Sequence, residues 1–299
     1  MAPAARISFA AFGVLAFAMV ASGGCTLLLS RDGIAGAPLV DDAAPPGDAG
    51  APDAGDAGDS GSDALTTTRF CAATSPMPLF CDDFDDRSAK SMWSGSFTTA
   101  GHWSIDDDVF ASPPSSRLAT TDPLAAGSSL QVALRKEWPE LAGTAATWNV
   151  SFKVKLGDLD PNGAQTAVAK FVFGDVAVVR YELQLLASLD SAKGRAQIMF
   201  TEWSNEPDVV FLAQHAIVRR VDPAAWTSVR LTVDVRSASE DGQNSAAVFF
   251  DGMMQLTTDI ALKVPGGAPT LLLGPSWSTS PSAPLAIHYD DVLVTRQPR

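Results

Sequence analysis

Cysteine, tyrosine, histidine and basic residues are all scarce in this chain of 299 residues, which has three Cys, two Tyr and three His. Lys and Arg number 21 against 34 Asp and Glu, so the formal net charge is −13 at pH 7. Because phosphate binding depends on clustered Lys and Arg, this balance disfavours a nucleic-acid ligand, and we expect none. The histidines also lack the short spacings of zinc ligands, which disfavours a zinc site; they are His102, His215 and His288.

The N-terminal apolar run, residues 7–21, is short for a membrane span, which needs roughly 20 apolar residues. It follows a basic start at Arg6 and ends in small residues before Cys25, an arrangement found in export signals. Residues 17–25, FAMVASGGC, resemble the lipobox of bacterial lipoprotein signal peptides. An ordinary secretory signal and an uncleaved anchor are the alternatives for this segment.

The lipobox resemblance implies that residues 1–24 are a signal peptide and that Cys25 becomes the first mature residue. Its sulfur would carry diacylglycerol and its new amine an acyl chain such as palmitate, which holds a protein to the membrane surface. Thr26 stands where aspartate would direct retention in the inner membrane, so the resemblance implies the outer membrane or cell surface. We therefore expect a lipid-anchored protein of the cell envelope.

Residues 32–68 contain no Lys, Arg or aromatic residue and consist mainly of Ala, Gly, Pro and Asp. Such a segment cannot bury enough apolar surface to offset its ordering entropy. We predict that residues 25–68 form a disordered tether and that residues 69–299 form one folded domain. If lipid occupies Cys25, then Cys71 and Cys81 remain as a pair in an oxidising compartment, which predicts a disulfide. Free or metal-binding thiols are the alternative, although no further Cys or His lies nearby.

The region after residue 69 shows almost no helical periodicity and instead alternates apolar with polar residues. Alternation over residues 148–156, 179–185 and 229–236 is typical of half-buried strands in an antiparallel sheet. Many such strands within about 230 residues predict an all-β sandwich. Gly174 with Asp175 predicts a two-residue hairpin turn. Trp148 and Trp226 each begin an alternating strand, so we expect both in the core.

Residues 226–233, followed after a turn by AVFFDGMMQ at 247–255, resemble paired strands of laminin-G and concanavalin A-like domains. FCDDFDD at 80–86 and IHYDDVLV at 287–294 resemble the first and last strands, which pair with each other in that fold. The resemblance implies an antiparallel jelly-roll β-sandwich whose concave sheet carries the ligand or the active site.

RYELQ at residues 180–184 resembles the Arg-x-Glu-Leu strand with which polysaccharide lyases of this fold grip uronate carboxylates. Arg180, Glu182 and Gln184 would share one face, where arginine can bind a carboxylate at two points. The family's Gln-x-His strand has no counterpart, because Gln214 and His215 are adjacent and face opposite sides. The family's tyrosine-bearing strand has no counterpart either, because the alternation turns Tyr181 toward the core. A solvated strand face is the alternative for these polar residues.

Other candidate site residues come from aromatic and acidic positions. Trp203 and Trp277 lie beside polar, turn-rich segments and could stack against a sugar. Glu202 and Glu206 are the nearest pair of carboxylates for a glycosidase, but we expect them in a loop and too far apart. For calcium, the resemblance implies oxygen ligands near the terminal strands, which would be Asp83 and Asp291. The alternative is that both aspartates accept backbone hydrogen bonds or face water.

Together these features predict an anchored β-sandwich that binds a glycan or another surface component without catalysing a reaction. A polysaccharide lyase or glycosidase of the same fold is the enzymatic alternative. A structural, self-associating envelope protein is a further alternative, which an exposed apolar patch on one sheet would favour. The sequence carries no signal for a particular oligomeric state.

Overall fold

The computed structural model describes residues 70–85, 92–113, 115–122, 132–174, 180–204, 213–237, 240, 242–262, 267–278 and 283–299. The predicted signal peptide, Cys25, the predicted tether and Glu206 lie outside these residues. Within the described ranges, none of the helices has the length and apolar character needed to span a membrane.

Nearly all regular structure in the described residues is β-strand. A four-residue helix α1, Phe70–Ala73, comes first, and a short 3-10 turn at Pro139–Leu141 follows the fifth strand. The strands are β1 Phe80–Asp82, β2 Gly95–Thr98, β3 Gly101–Asp106, β4 Ser116–Thr121, β5 Val132–Glu137, β6 Ala146–Asp158, β7 Thr166–Gly174, β8 Arg180–Asp190, β9 Arg195–Ser204, β10 Ala213–Val221, β11 Thr227–Val235, β12 Asn244–Phe250, β13 Met253–Ile260, β14 Thr270–Leu273 and β15 Ala286–Pro298.

These strands form two antiparallel sheets that pack as a jelly-roll β-sandwich, as the sequence predicts. The first sheet has the order β13-β12-β11-β6-β15-β4-β3, with β1 also paired to β15. The second has the order β10-β9-β8-β7-β14-β5-β2. The predicted pairing of the terminal strands is confirmed, because Phe80 lies opposite Val294 in the register of β1 and β15.

Alternating burial along the long strands builds the core between the sheets. In β6, buried and half-buried residues alternate from Ala146 to Gly157, and β11 alternates in the same way. Trp148 of the first sheet meets Phe171 of the second with ring centroids 5.5 Å apart. The Tyr289 hydroxyl donates to the Val168 carbonyl at 3.0 Å, which also links the two sheets. The strand predictions for these segments are therefore confirmed.

A disulfide between Cys71 and Cys81 joins α1 to β1, with the two Cα atoms 5.7 Å apart. This bond confirms the predicted pairing of the two cysteines. It closes a short loop and so holds the beginning of the described domain against the strand that pairs with β15.

The predicted two-residue turn at Gly174 is wrong. Gly174 still pairs with Arg180, so the connection between β7 and β8 spans residues 175–179, which lie outside the described structure. Gly174 has a positive φ of 113°, a conformation that favours glycine. A Cβ added at Gly267 would lie 2.2 Å from the Cα of Gly174, so the close approach of the two chains explains the glycine at 267.

The predicted core position of Trp226 is also wrong. Its side chain is half-buried and makes an edge contact with the ring of His288, with centroids 6.3 Å apart. Trp226 precedes Val229 by three positions, an odd number, and successive side chains of a strand point to opposite faces. Trp226 therefore lies on the outer side of the first sheet, whereas Trp148 is fully buried.

Candidate functional site

The outer face of the second sheet carries a row of polar side chains that the strand register brings together. Lys170 of β7 lies opposite Gln184 of β8, Gln184 lies opposite Thr201 of β9, and Thr201 lies opposite Gln214 of β10. Directly paired residues share one face of a sheet. Four consecutive strands therefore line up four polar groups across the sheet.

A second row runs beside the first and contains Val172, Glu182 and Trp203. Because side chains alternate between faces, Arg180, Glu182 and Gln184 all lie on this outer face, as the sequence predicts. Tyr181, between Arg180 and Glu182, is buried on the core side.

A buried ionic cluster lies where these rows meet. Lys170 Nζ is 3.2 Å from one carboxylate oxygen of Glu182, and the Arg180 guanidinium contacts the other oxygen. The side-chain amide of Gln184 donates to the same carboxylate. Glu182 is only 1% exposed, Lys170 7% and Gln184 8%. The alternative of a solvated strand face for Arg180 and Glu182 is therefore wrong for Glu182, which ion pairing and neighbouring side chains remove from water, whereas Arg180 is half-buried.

The charges of this cluster do not cancel. Two basic side chains, Lys170 and Arg180, share the single carboxylate of Glu182. Burial lowers the pKa of the Lys170 amine, although attraction to Glu182 opposes this effect. The Arg180 guanidinium also lies 5.2 Å from the ring centroid of Trp203, within the range of a cation–π contact. The cluster therefore places two basic side chains beside an aromatic ring.

The five residues predicted to bind ligand all line one cavity of about 300 Å³, and these are Arg180, Glu182, Gln184, Trp203 and Trp277. An adjoining cavity of about 550 Å³ shares Lys170, Arg180 and Glu182 and extends over the sheet to Arg135 and Phe97. We call the two cavities together the groove. Among its described lining residues are three basic side chains and two carboxylates, so the groove carries a positive excess in a chain of net charge −13.

Trp277 reaches the groove from the segment after β14. The Ala167 N–H donates to the Trp277 carbonyl at 2.8 Å, and the hydroxyls of Thr166 and Ser278 lie 3.0 Å apart. These bonds tie the segment to the beginning of β7. Trp277 is 37% exposed and Trp203 is half-buried, so both aromatic rings are accessible at the cavity, as predicted.

Lys170, Thr201 and Gln214 are among the groove residues that sequence reasoning missed. Lys170 interrupts the otherwise apolar sequence TAVAKFVFG of β7, and this lone charge in a buried strand was the available signal. The hydroxyl of Thr201 is buried without a hydrogen-bond partner among the described residues. The amide of Gln214 contacts the sulfur of Met199 at 2.9 Å. Their place in the groove depends on the cross-strand register.

Tyrosine and histidine are absent from the described lining of the groove. The Tyr181 hydroxyl donates to Glu202 at 2.6 Å on the core side, and burial with the adjacent carboxylate raises the Tyr181 pKa well above its usual value. His215 also faces Glu202, with 3.9 Å between ring nitrogen and carboxylate. The prediction that Glu202 lies in a loop is wrong, since β9 continues to Ser204 and buries it.

The two aspartates predicted to bind calcium have protein partners. Asp291 lies 2.7 Å from Lys153 Nζ and accepts a hydrogen bond from Ser112, whereas Asp83 accepts one from the Cys71 N–H at 3.2 Å. Within the described part of the chain, no three His, Cys, Asp or Glu side chains are grouped so that they could hold a metal ion. Calcium binding at Asp83 and Asp291 stays a prediction.

This arrangement of two antiparallel sheets defines a jelly-roll sandwich, and a concanavalin A-like fold is compatible with it. No protein-family model and no curated protein matches the sequence. Among solved structures, an endo-β-1,4-glucuronan lyase from the fungus Trichoderma reesei matches with a TM-score of 0.53 and 13% identity, over 73% of this chain and 95% of that one. At this identity the likeness shows a shared fold.

Two further solved structures match with lower scores. An alginate lyase from Chlorella virus has a TM-score of 0.47 and 10% identity, over 74% of this chain and 100% of that one. A carbohydrate esterase from a Shiga toxin-encoding bacteriophage has a TM-score of 0.44 and 12% identity, over 73% and 95%.

Proposed function

We propose that the groove binds an acidic polysaccharide through the carboxylates of its uronate units. The observation that carries the proposal is the cluster in which Lys170 and Arg180 share one carboxylate, Glu182, at the groove floor. A ligand carboxylate would be attracted by these two basic side chains, and arginine binds carboxylates in two-point geometry. Partial exclusion of water strengthens such a contact.

The rest of the groove has the chemistry that a sugar needs. Trp203 and Trp277 offer aromatic faces to the C–H surfaces of a pyranose ring. Gln184, Thr201 and Gln214 place polar groups on the same surface, where they can pair with sugar hydroxyls. A neutral polysaccharide would use the aromatic faces and leave the positive charge unmatched.

The test is titration of the purified protein with polyglucuronate, alginate and pectate, and with neutral cello-oligosaccharides. We expect the acidic chains to bind more tightly and Arg180→Ala to weaken them about tenfold, corresponding to about 1.4 kcal/mol. Arg230→Ala is the matched control, because Arg230 packs against Phe249 on the outer face of the first sheet. Equal binding of neutral chains, or equal losses in the two variants, would contradict the proposal.

A second candidate function is β-elimination of the same polysaccharide, as in a lyase. The fold shared with a glucuronan lyase and the Arg180, Glu182 and Gln184 face support it. In this reaction Arg180 and Gln184 would stabilise the uronate carboxylate while a base removes the proton at C5. The C4–O4 bond breaks as a C4=C5 double bond forms, and the departing O4 takes up a proton. Lys170 is the candidate base, because burial lowers the pKa of its amine; in this second function it would be neutral, whereas in binding alone it stays charged beside Glu182.

Ultraviolet absorbance of the unsaturated uronate product separates the two functions. Product formation that disappears in Lys170→Met, with binding retained, would support the lyase. Tight binding of every acidic chain without product would support binding alone. Titration of the protein alone with calcium tests Asp83 and Asp291, since alginate and pectate bind calcium themselves and would confuse a test made in their presence.

We also propose that the chain is anchored to the outer membrane or cell surface by lipid on Cys25. The lipobox resemblance supports this, and the segment that follows it, treated as a flexible coil of about forty residues, would span about 35 Å. Mass spectrometry of the membrane-extracted protein should find diacylglycerol on Cys25, and Cys25→Ser should remove it. An N-terminus that begins at Met1 would overturn the anchor.

A further inference from the structure

A cavity of about 380 Å³ lies between the edge strands β2 and β3 and is separate from the groove. Its described lining residues come from β2, β3, β4, β5 and Trp93, and none of them lines the groove. Trp93, Trp103, Arg117 and Leu134 form its walls, with Ser96 among the lining residues of β2. This volume lies in the range of small-molecule sites, roughly 300–1,000 Å³.

Arg117 is the unusual residue of this cavity. It is only 8% exposed, and its Nε is buried without a hydrogen-bond partner among the described residues. Asp82 attracts it, but the carboxylate of Asp82 already accepts bonds from Trp93 Nε1 at 2.6 Å and Phe84 N at 2.9 Å. Burial accordingly lowers the pKa of Arg117. Buried charges in proteins are paired, since an unpaired one loses its hydration without compensation.

Trp103 is half-buried and lines the same cavity. Its ring packs near Tyr289 with centroids 5.7 Å apart, and its indole nitrogen is buried out of contact with solvent and has no partner among the described residues. The cavity therefore sets an aromatic ring beside the buried charge of Arg117, which indicates a ligand that brings acceptor atoms, negative charge and an apolar face.

We propose that this cavity binds a monosaccharide that carries a carboxylate. The carboxylate would pair with Arg117, and the sugar ring would pack against the half-buried indole of Trp103. The cavity has room for one sugar ring, in contrast to the longer groove. This site does not depend on the function of the groove.

The test uses the full chain and the indole N–H signals of Trp93 and Trp103 in NMR spectra, during titration with glucuronate, galacturonate, glucose and galactose. We expect the acids to shift these signals saturably and the neutral sugars to bind at least about tenfold more weakly, about 1.4 kcal/mol or more. Arg117→Met should abolish this preference for acids. Equal affinity for glucose and glucuronate, or no shift with either acid, would overturn the proposal.

Two further variants keep the test decisive if Arg117→Met does not fold. Ser96→Phe changes an exposed residue of the cavity lining, fills part of the space and leaves the charge intact, so monosaccharide binding should fall. Arg180→Ala should weaken polysaccharide binding in the groove and leave the monosaccharide titration unchanged. Unaltered monosaccharide binding in Ser96→Phe, or its loss in Arg180→Ala, would place the ligand elsewhere and overturn the site.

Discussion

Lys170 Nζ lies 3.2 Å from Glu182 Oε2 at the centre of the groove, and both side chains are more than nine-tenths buried. The two residues come from neighbouring strands and stand diagonally, because Lys170 faces Gln184 and Glu182 faces Val172. A buried pair of this kind loses hydration energy that its mutual attraction recovers only in good geometry. The Lys170–Glu182 pair therefore keeps the floor of the groove polar, although apolar residues of similar size could occupy the same space at a lower cost in hydration.

Removing the carboxylate should destabilise the domain. Glu182→Gln leaves the buried Lys170 and Arg180 without their shared counter-charge, and we expect a loss of about 3 kcal/mol in the free energy of unfolding. Glu137→Gln is the control, since Glu137 pairs with Arg135 at 3.3 Å in a partly exposed position and should cost at most about 1 kcal/mol. Urea unfolding of the two variants at neutral pH measures the difference. Similar small losses in both would contradict the buried pairing.

Trp203→Ala should weaken the binding of an acidic polysaccharide and leave the fold intact. Trp203 is half-buried at the groove, beside Arg180, and loss of an aromatic contact of about 0.5–1.5 kcal/mol weakens binding roughly two- to twelvefold. Trp226→Ala is the matched control, because Trp226 is also half-buried but lies against His288 on the other sheet. Calorimetric titration of both variants with the polysaccharide measures the two affinities. Equal losses of affinity would show that the ligand does not contact Trp203.

Asp290 should make the domain less stable as the pH rises. Burial raises the pKa of its carboxyl from 3.8 to about 7, with hydrogen bonds from Ser112 and Ala111 opposing the rise and Asp291 adding to it. Between these values the folded state holds a proton that the unfolded state has released. The stability that this proton contributes is therefore complete below about pH 4 and is lost as the pH approaches about 7.

Denaturant unfolding at about pH 5 and about pH 8 measures this dependence. Since one pKa unit corresponds to about 1.4 kcal/mol, we expect the free energy of unfolding to differ by at most a few kcal/mol between the two pH values. Asp290→Asn cannot ionise and should flatten the curve. Asp106→Asn is the control, since the pKa of Asp106 is lowered in the folded state and its contribution is lost on the acid side. A wild-type curve that rises between the two pH values would refute this prediction.

The disulfide should stabilise the domain by restricting the unfolded chain. Cys71 and Cys81 are ten positions apart, and closure of such a loop corresponds to about 3 kcal/mol. We expect the double variant Cys71→Ser, Cys81→Ser to lose about this amount in urea unfolding. Reduction of the wild type should reproduce the loss and have no effect on the double variant. Full stability of the reduced wild type would show that the bond is dispensable.

The strands were predictable because their signal is local. A strand with one face in the core must alternate apolar and polar residues, and β6 does so over most of its length. The same alternation placed Arg180, Glu182 and Gln184 on one face of β8. The expectation for Trp226 ignored that alternation, since Trp226 stands an odd three positions before Val229. The alternation also carries no information on the length of the connection after Gly174, which pairs with Arg180.

The sequence by itself determined the all-β class, the inward and outward faces of the long strands, the pairing of the terminal strands and the disulfide. Each follows from short-range alternation, from a resemblance in a short motif or from the small number of cysteines. The tertiary structure alone decided that Lys170, Thr201 and Gln214 join the predicted groove residues, and that Arg117 and Trp103 meet at one cavity. Those juxtapositions depend on which strands are neighbours and on their register, which are set by packing of the whole chain. The lone charge of Lys170 in β7 marks that residue as unusual, but it does not show which residues Lys170 meets.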